Sequence, residues 1–298
     1  MALRGSLSQF VSCGKDKCWR KYLTGSTRAY SAEPRADHAE DGTTHFGFET
    51  VKESEKTKKV HSVFENVANS YDVMNDAMSL GIHRIWKDIF IETLAPTHGC
   101  RLLDCAGGTG DITFRYLNYL KKTTNSKKVQ SHVTVSDINE HMLEVGKIRA
   151  RRLGWTVENG CDIDWQCANA EKLPFADESF TAYTIAFGIR NVTHVEEALS
   201  EAYRVLRPGG RFLCLEFSQV NNEMLRWLYD KYSFQVIPVM GTLIAGQWEA
   251  YRYLVESIRR FPKQEDFKVR FKKLALPRVN DARIHFEFIP GHDRRGRL

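Results

Sequence analysis

A doubly wound α/β fold with a mostly parallel sheet is the class this 298-residue chain predicts, on three observations. Apolar strand-like runs alternate with helix-patterned segments over about 120 residues, the signature of βαβ units. The first run ends in an acid and a glycine-rich turn, where ligands meet such sheets. The next three runs also end in polar residues, so chemistry-bearing groups gather along one edge.

The opening run, Leu102 and Leu103, closes at Asp104, turns through Ala106, Gly107, Gly108 and Gly110, and enters a helical pattern at Ile112, Phe114, Arg115 and Leu117. Glycines admit φ > 0 and close backbone approach, and the helix start offers unpaired N–H groups. An ordinary tight turn would use the same glycines. His132–Ser136 reads as a second buried strand ending at Asp137, an acid placed to accept from both hydroxyls of a ribose. With Glu140 three residues on, Asp137 also fits a capping box. A third strand, Asp164–Ala168, runs into Asn169 and Ala170, and Asn169 doubles as a turn former. Phe180–Phe187 is the fourth strand, followed by Gly188, Ile189, Arg190 and Asn191. Thr193 and Glu196 read as a capping box for a helix whose Val195, Ala198, Leu199, Ala202 and Leu206 share one face. Arg207-Pro208-Gly209-Gly210 stops it, Arg211–Phe217 is the fifth strand, and Arg283–Ile289 alternates like another.

The turn discriminates between cofactors. A dinucleotide fingerprint needs a third glycine where this chain has Thr113, and no second binding unit is visible, so an NAD(P)-dependent oxidoreductase is the weaker reading. The run Asp104-Cys105-Ala106-Gly107-Gly108-Thr109-Gly110 resembles the first motif of class I S-adenosylmethionine-dependent methyltransferases. That resemblance implies a Rossmann-like sheet and S-adenosylmethionine as cofactor. It implies contacts at Asp104, Gly108, Thr109, Gly110, Asp137, Asn169 and the Ala170 N–H, the last two at the adenine edge.

Two longer segments sharpen it. Tyr71–Trp86 (YDVMNDAMSLGIHRIW) and Arg204–Ser218 (RVLRPGGRFLCLEFS) are similar to the two signatures of the ubiquinone/menaquinone C-methyltransferase family, and the likeness runs from about Phe64 to about Phe267. It implies C-methylation of a polyprenyl benzoquinol ring in coenzyme Q synthesis, with Arg190, Asn191 and Tyr71 on the substrate side. Arg190 reads as a stabiliser of developing phenolate charge, since a guanidinium is not a free base. The resemblance further implies other coenzyme Q biosynthesis proteins as partners in a multi-subunit complex, peripheral contact with the inner membrane, and a homodimer. A non-catalytic subunit of such a complex is the alternative. Residue by residue, Tyr71, Met74, Met78, Ile82, Ile85 and Trp86 form an apolar helical face suited to a lid or a core, and His83 is either a structural histidine or a base.

Two departures stand out. Where bacterial relatives have a serine ahead of the fourth-strand turn, this chain has Ala186. From Lys268 the ending differs from the family's helix and strand pair, with one strand visible where two are expected, so the segment after Pro277 is expected to pack poorly and leave the fifth strand's edge open.

The first thirty residues carry six basic residues against Asp16 alone, with several serines, the composition of a mitochondrial transit peptide. The expected organisation is a transit peptide over residues 1–30, a linker over 31–53, a helical lid over 54–96, a methyltransferase core over 97–267 and a divergent tail over 268–298, on the matrix side of the inner membrane. From Lys268 onward nine basic residues face three acids, so the formal +6 sits at the chain ends and the stretch between them is net acidic. That argues against nucleic acid. The longest apolar stretch, Val236–Ala245, is interrupted by Pro238 and Gly241 and is too short to span a bilayer. Seven cysteines show no C-x-x-C pair and no Cys/His ligand spacing, so no metal is expected and the thiols read as small buried apolar groups.

Overall fold

The computed structural model describes residues 42–67, 71–123, 131–159, 161–217, 231–263 and 283–289, with isolated positions between 224 and 269. The transit-peptide segment lies outside the described residues. Strands β3 (Arg101–Cys105), β4 (Ser131–Asp137), β5 (Cys161–Cys167), β6 (Phe180–Ala186), β7 (Leu206–Phe217) and β8 (Arg283–Ile289) form one sheet in the order β5-β4-β3-β6-β7-β8. Every pairing in it is parallel. The order reverses between β3 and its neighbours β4 and β6, and the crevice of such a switch point is where an open α/β sheet takes its ligand.

Alternating side chains on the central strands bury both faces. Leu103, Cys105, Tyr183, Ile185, Phe212 and Cys214 pack under α6 (Val195–Val205), while Leu102, Val133, Val135, Leu213 and Leu215 pack against Phe90, Ile91 and Leu94 of α3 (Ile82–Leu94) and Ile112 and Leu117 of α4 (Asp111–Thr123). Such two-sided burial is why these strands read as continuous apolar runs. A third cluster joins α1 (Glu53–Val67) and α2 (Tyr71–Ser79) to α7 (Ile237–Ala245) and α8 (Trp248–Arg260) through Val67, Met74, Ile237, Ala250, Tyr251 and Val255. The helical layer is thus built from both ends of the chain.

Several expectations are corrected. The linker segment carries an antiparallel hairpin, β1 (Thr43–Phe46) and β2 (Glu49–Lys52). Ile82 and Ile85 are exposed rather than on the apolar face, because Leu80 and Gly81 adopt φ of 51° and 76° and break the helix there. The new helix turns His83, Lys87, Phe90, Ile91 and Leu94 inward instead. The caps also differ: Asn139 caps α5 (Glu140–Arg152), accepting from the Met142 N–H at 3.2 Å, and His194 occupies the α6 N-cap position without a side-chain cap bond. Asp137 and Thr193 therefore cap nothing. Leu206 leaves the helix and pairs with Phe180. The edge of β7 is not open either, since Arg211–Phe217 pairs residue for residue with Arg283–Ile289.

Candidate active site

The turn after β3 is shaped by Ala106, Gly108 and Gly110, whose φ values are 50°, 53° and 82°. A side chain at Gly107 would place its Cβ 2.7 Å from Val135 and 2.9 Å from the Asp104 carbonyl, so only glycine fits. Gly110 does not reach the cavity. It packs against Trp165 and Phe114 and donates its N–H to the Gly107 carbonyl at 2.9 Å, which makes it a structural glycine.

The other residues expected at the cofactor converge on one cavity of about 140 Å³, lined by Asp104, Gly108, Thr109, Asp111, Asp137, Asn139, Met142, Asn169, Ala170 and Glu171 and also by Thr57, Val60, His61 and Phe64 of α1. Asp104 is fully buried, one carboxylate oxygen accepting from Thr113 at 2.7 Å and the other from Thr184 at 2.9 Å. Thr113, at the missing third glycine, therefore anchors an acid. Burial pushes Asp104 up to about 6 against those two hydrogen bonds. Asp137 accepts from the N–H groups of Gly108 and Asn139, both at 2.9 Å, and burial pushes it to about 6 as well. Thr109 Oγ1 accepts from Arg149 at 2.8 Å, and Asn169 accepts from the Glu171 N–H at 3.0 Å in an Asx turn.

The donor set fits S-adenosylmethionine. Four carboxylates, Asp104, Asp111, Asp137 and Glu171, line a cavity in which Lys87 is already committed to Asp111. Such surroundings favour a cationic sulfonium and ammonium and oppose a pyrophosphate.

A second, apolar cavity of about 300 Å³ adjoins the first, lined by Val63, Val67, Met78, Trp86, Phe217 and Leu254 among others, with His83 and Arg190 in its wall. Phe64, Lys87 and Phe187 border both. Phe187 sits at φ 58°, a region costly for a bulky residue, pinned by its N–H on the Leu215 carbonyl at 2.7 Å. Its own carbonyl accepts from Arg190 and Asn191. One strained residue thus orients both turn residues that the resemblance implies on the substrate side.

Arg190 Nη1 donates to buried Glu216 at 2.8 Å, and its guanidinium stacks 5.6 Å from the Phe217 ring centroid. Glu216 is fully buried, and burial raises its pKa against the Arg190 charge. Asn191 borders the cofactor cavity and accepts from the Tyr253 hydroxyl at 3.0 Å. Tyr71 starts α2, but its side chain lies outside the described residues. Ala186, the residue in place of a serine, lines the cofactor cavity.

Sequence reasoning missed Glu216, Lys87 and Asp111. Lys87 is 5% exposed and bonds Asp111 at 2.7 Å; burial raises Asp111, but Lys87 and Arg115 together hold it below the usual range. The signal for Glu216 was an acid at the end of an apolar run, the same signal that marks Asp104.

The family model for the ubiE/COQ5 methyltransferase family matches residues 50–292, which carries the likeness beyond Phe267 and through β8. A relative from Drosophila melanogaster named 2-methoxy-6-polyprenyl-1,4-benzoquinol methylase, mitochondrial, is 64% identical over 276 residues, covering 90% of this chain and 92% of that protein. The protein of the same name from Homo sapiens is 49% identical over 309 residues, covering 90% and 91%. Among solved structures, a SAM-dependent methyltransferase from Thermotoga maritima aligns with a TM-score of 0.43 at 22% identity, over 72% of this chain and 80% of that one.

Proposed function

The chain belongs to the ubiE/COQ5 methyltransferase family, and from that premise we propose that it moves a methyl group from S-adenosylmethionine to a ring carbon of a polyprenyl benzoquinol in ubiquinone (coenzyme Q) biosynthesis. The observation that carries this reading is the junction of two unlike cavities, one acidic and one apolar, at Phe64, Lys87 and Phe187. Bound S-adenosylmethionine supplies an electrophilic methyl on a cationic sulfur, whose charge vanishes in transfer, a change that a dry cavity favours.

The chain's own residues do the rest. With the cofactor bound, Asp137 would accept from the ribose hydroxyls, Asn169 and the Ala170 N–H would hold the adenine edge, and Gly108 and Thr109 would hold the methionine portion. Arg190, anchored on Glu216, offers its charge to the oxygen of the acceptor ring as it becomes a phenolate. Asn191 and Tyr71 orient the ring oxygens. The α1 helix lines the cofactor cavity through Thr57, Val60, His61 and Phe64, where it would shield a bound cofactor from water. The names of the relatives support a mitochondrial location, here the matrix face of the inner membrane with the basic leader as address. No helix among the described residues is long and apolar enough to cross a membrane. Contact with the membrane is peripheral, other coenzyme Q biosynthesis proteins are the partners, and the chain pairs as a homodimer.

Mass spectrometry of a short-chain demethyl-quinol incubated with S-adenosylmethionine tests the reading: the product gains one CH2. Arg190→Ala should cut kcat about 10²-fold with unchanged cofactor affinity. Arg190 also neutralises Glu216, so the pair Arg190→Gln with Glu216→Gln repeats the test without stranding a buried carboxylate. Turnover that survives while cofactor binding is lost would place Arg190 on the wrong ligand.

A further inference from the structure

S-adenosylmethionine brings three charged groups into its cavity. The sulfonium is cationic, and the amino-acid end adds an ammonium and a carboxylate. The acidic wall suits the cations. The carboxylate is the demanding group, because an anion taken out of water among acids needs a cation of its own.

Among the described residues only two cation-forming side chains border the cofactor cavity, His61 and Lys87. His61 stands at the ribose end, where its charge acts on Asp137 and its carbonyl accepts from Asn139 at 3.4 Å. Lys87 comes from α3 and keeps 6% of its side chain exposed, and its ammonium donates to Asp111 at 2.7 Å. That bond uses one of three N–H groups. Apart from the Phe187 ring 5.9 Å away, the ammonium has no other hydrogen-bond or ion-pair partner among the described residues. Asp111 lines the cofactor cavity and not the acceptor cavity, so the ammonium it holds lies on the cofactor side of the junction.

The cavity's acids sort in the same way. Asp104 is fully buried with both oxygens taken by Thr113 and Thr184. Glu171 accepts from the N–H groups of Thr193 and His194 and from the His194 ring. Asp137 is assigned to the ribose. Asp111 keeps 24% of its side chain exposed and is the acid left for an ammonium.

We propose that Lys87 and Asp111 form the subsite for the amino-acid end of S-adenosylmethionine, Lys87 donating to its carboxylate and Asp111 accepting from its ammonium. The inference rests on the cofactor and not on the acceptor. A fixed pair of opposite charges matches a ligand whose own two charges are separated by a single carbon. The four charges then alternate in sign, and neither protein group gives up its partner to bind. Because Asp111 already neutralises Lys87 in the free protein, the subsite is preorganised. A cofactor lacking its carboxylate would leave Lys87 facing an unbalanced cation, so the pair selects for an intact amino acid.

Calorimetry on the full chain with S-adenosylmethionine, its decarboxylated analogue and methylthioadenosine, which lacks the amino-acid end, tests the assignment. The wild type should bind the decarboxylated analogue about tenfold or more weakly than S-adenosylmethionine. Lys87→Gln keeps a donor for Asp111. It should lose about ten- to hundredfold in affinity for S-adenosylmethionine and bind the decarboxylated analogue no more weakly than the wild type does. Asp111→Asn should weaken both sulfonium ligands and leave methylthioadenosine unchanged. An equal loss for both sulfonium ligands in Lys87→Gln, or no loss for S-adenosylmethionine, would overturn the subsite. Should the variants fail to fold, the wild type decides: a preference for the carboxylate-bearing ligand supports the proposal, and equal affinity for the two defeats it. No acceptor enters these titrations, so a protein that passes them without methylating the quinol overturns the acceptor reading alone.

Discussion

Asp104 and Asp137 both titrate near 6 when folded, against an ordinary value of 3.8, because burial penalises their charge. The folded protein therefore binds protons that the unfolded chain does not as pH falls from about 6 toward 3.8, so this pair costs stability above that window and the cost is relieved within it. Cofactor binding runs the other way, since a carboxylate that accepts ribose hydroxyls must be ionised. Affinity measured by calorimetry should fall as pH drops through about 6, and Asp137→Asn should flatten that dependence. Asp137→Ala should weaken binding by roughly 1.5 to 3 kcal/mol, about ten- to hundredfold. Affinity in the wild type that is level across this range would take Asp137 out of the site. Asp137 and Asn169 were legible in the sequence because strand ends announce themselves by a change from apolar to polar. Lys87–Asp111 and Arg190–Glu216 were not, because pairs separated by 24 and 26 residues follow from topology and leave no trace in periodicity.

At the level of elements, the informative case is α1, which lines the cofactor cavity and is held at its foot by two contacts. Lys56, 2% exposed, donates to the Val192 carbonyl at 2.9 Å. His194 bridges carboxylates from two other segments, Nδ1 to Glu171 at 2.9 Å and Nε2 to Glu53 at 3.1 Å. Hydrogen bonding to Glu171 raises the His194 pKa above 6.5, with Glu53 adding to it and burial opposing. A histidine raised on folding contributes its stability below its unfolded pKa and loses it as pH rises through the folded one. His194→Gln should therefore lower Tm near pH 6 and match the wild type near pH 9. An equal Tm loss at both pH values would show that the bridge is packing rather than charge. The alternating strands and the α4 and α6 helices were readable from pattern alone. The break at Leu80–Gly81 was missed although its signal was present, since Gly81 at φ 76° donates its N–H to the Asp76 carbonyl at 2.9 Å and ends the helix locally. Not readable was the hairpin at Thr43–Lys52, whose Phe46 ring stacks 4.1 Å from that of Tyr253 in the opposite half of the chain.

For the whole molecule, the decisive element is β8. Its seven residues cover the β7 backbone, so the sheet's last edge is one strand further out than the tail's composition suggested. Hydrogen exchange should find Arg283–Ile289 slowed, with Arg211–Phe217 the slower of the two, and cutting the chain after Phe267 should speed exchange in Arg211–Phe217 and promote aggregation. Rapid exchange throughout Arg283–Ile289 in the intact chain would refute the pairing. The basic tail read as soluble and unpacked because charge count says nothing about which backbone a strand can reach. The direction of β8 matters as much as its presence. Because it runs parallel to β7, Ile289 ends beside Phe217, on the side of the sheet where Phe217 borders the acceptor cavity. An antiparallel strand would have released the chain at the opposite side. A fluorophore attached just after Ile289 would thus be a short-range reporter of acceptor binding, and an affinity handle fused there would be a poor choice for kinetic work.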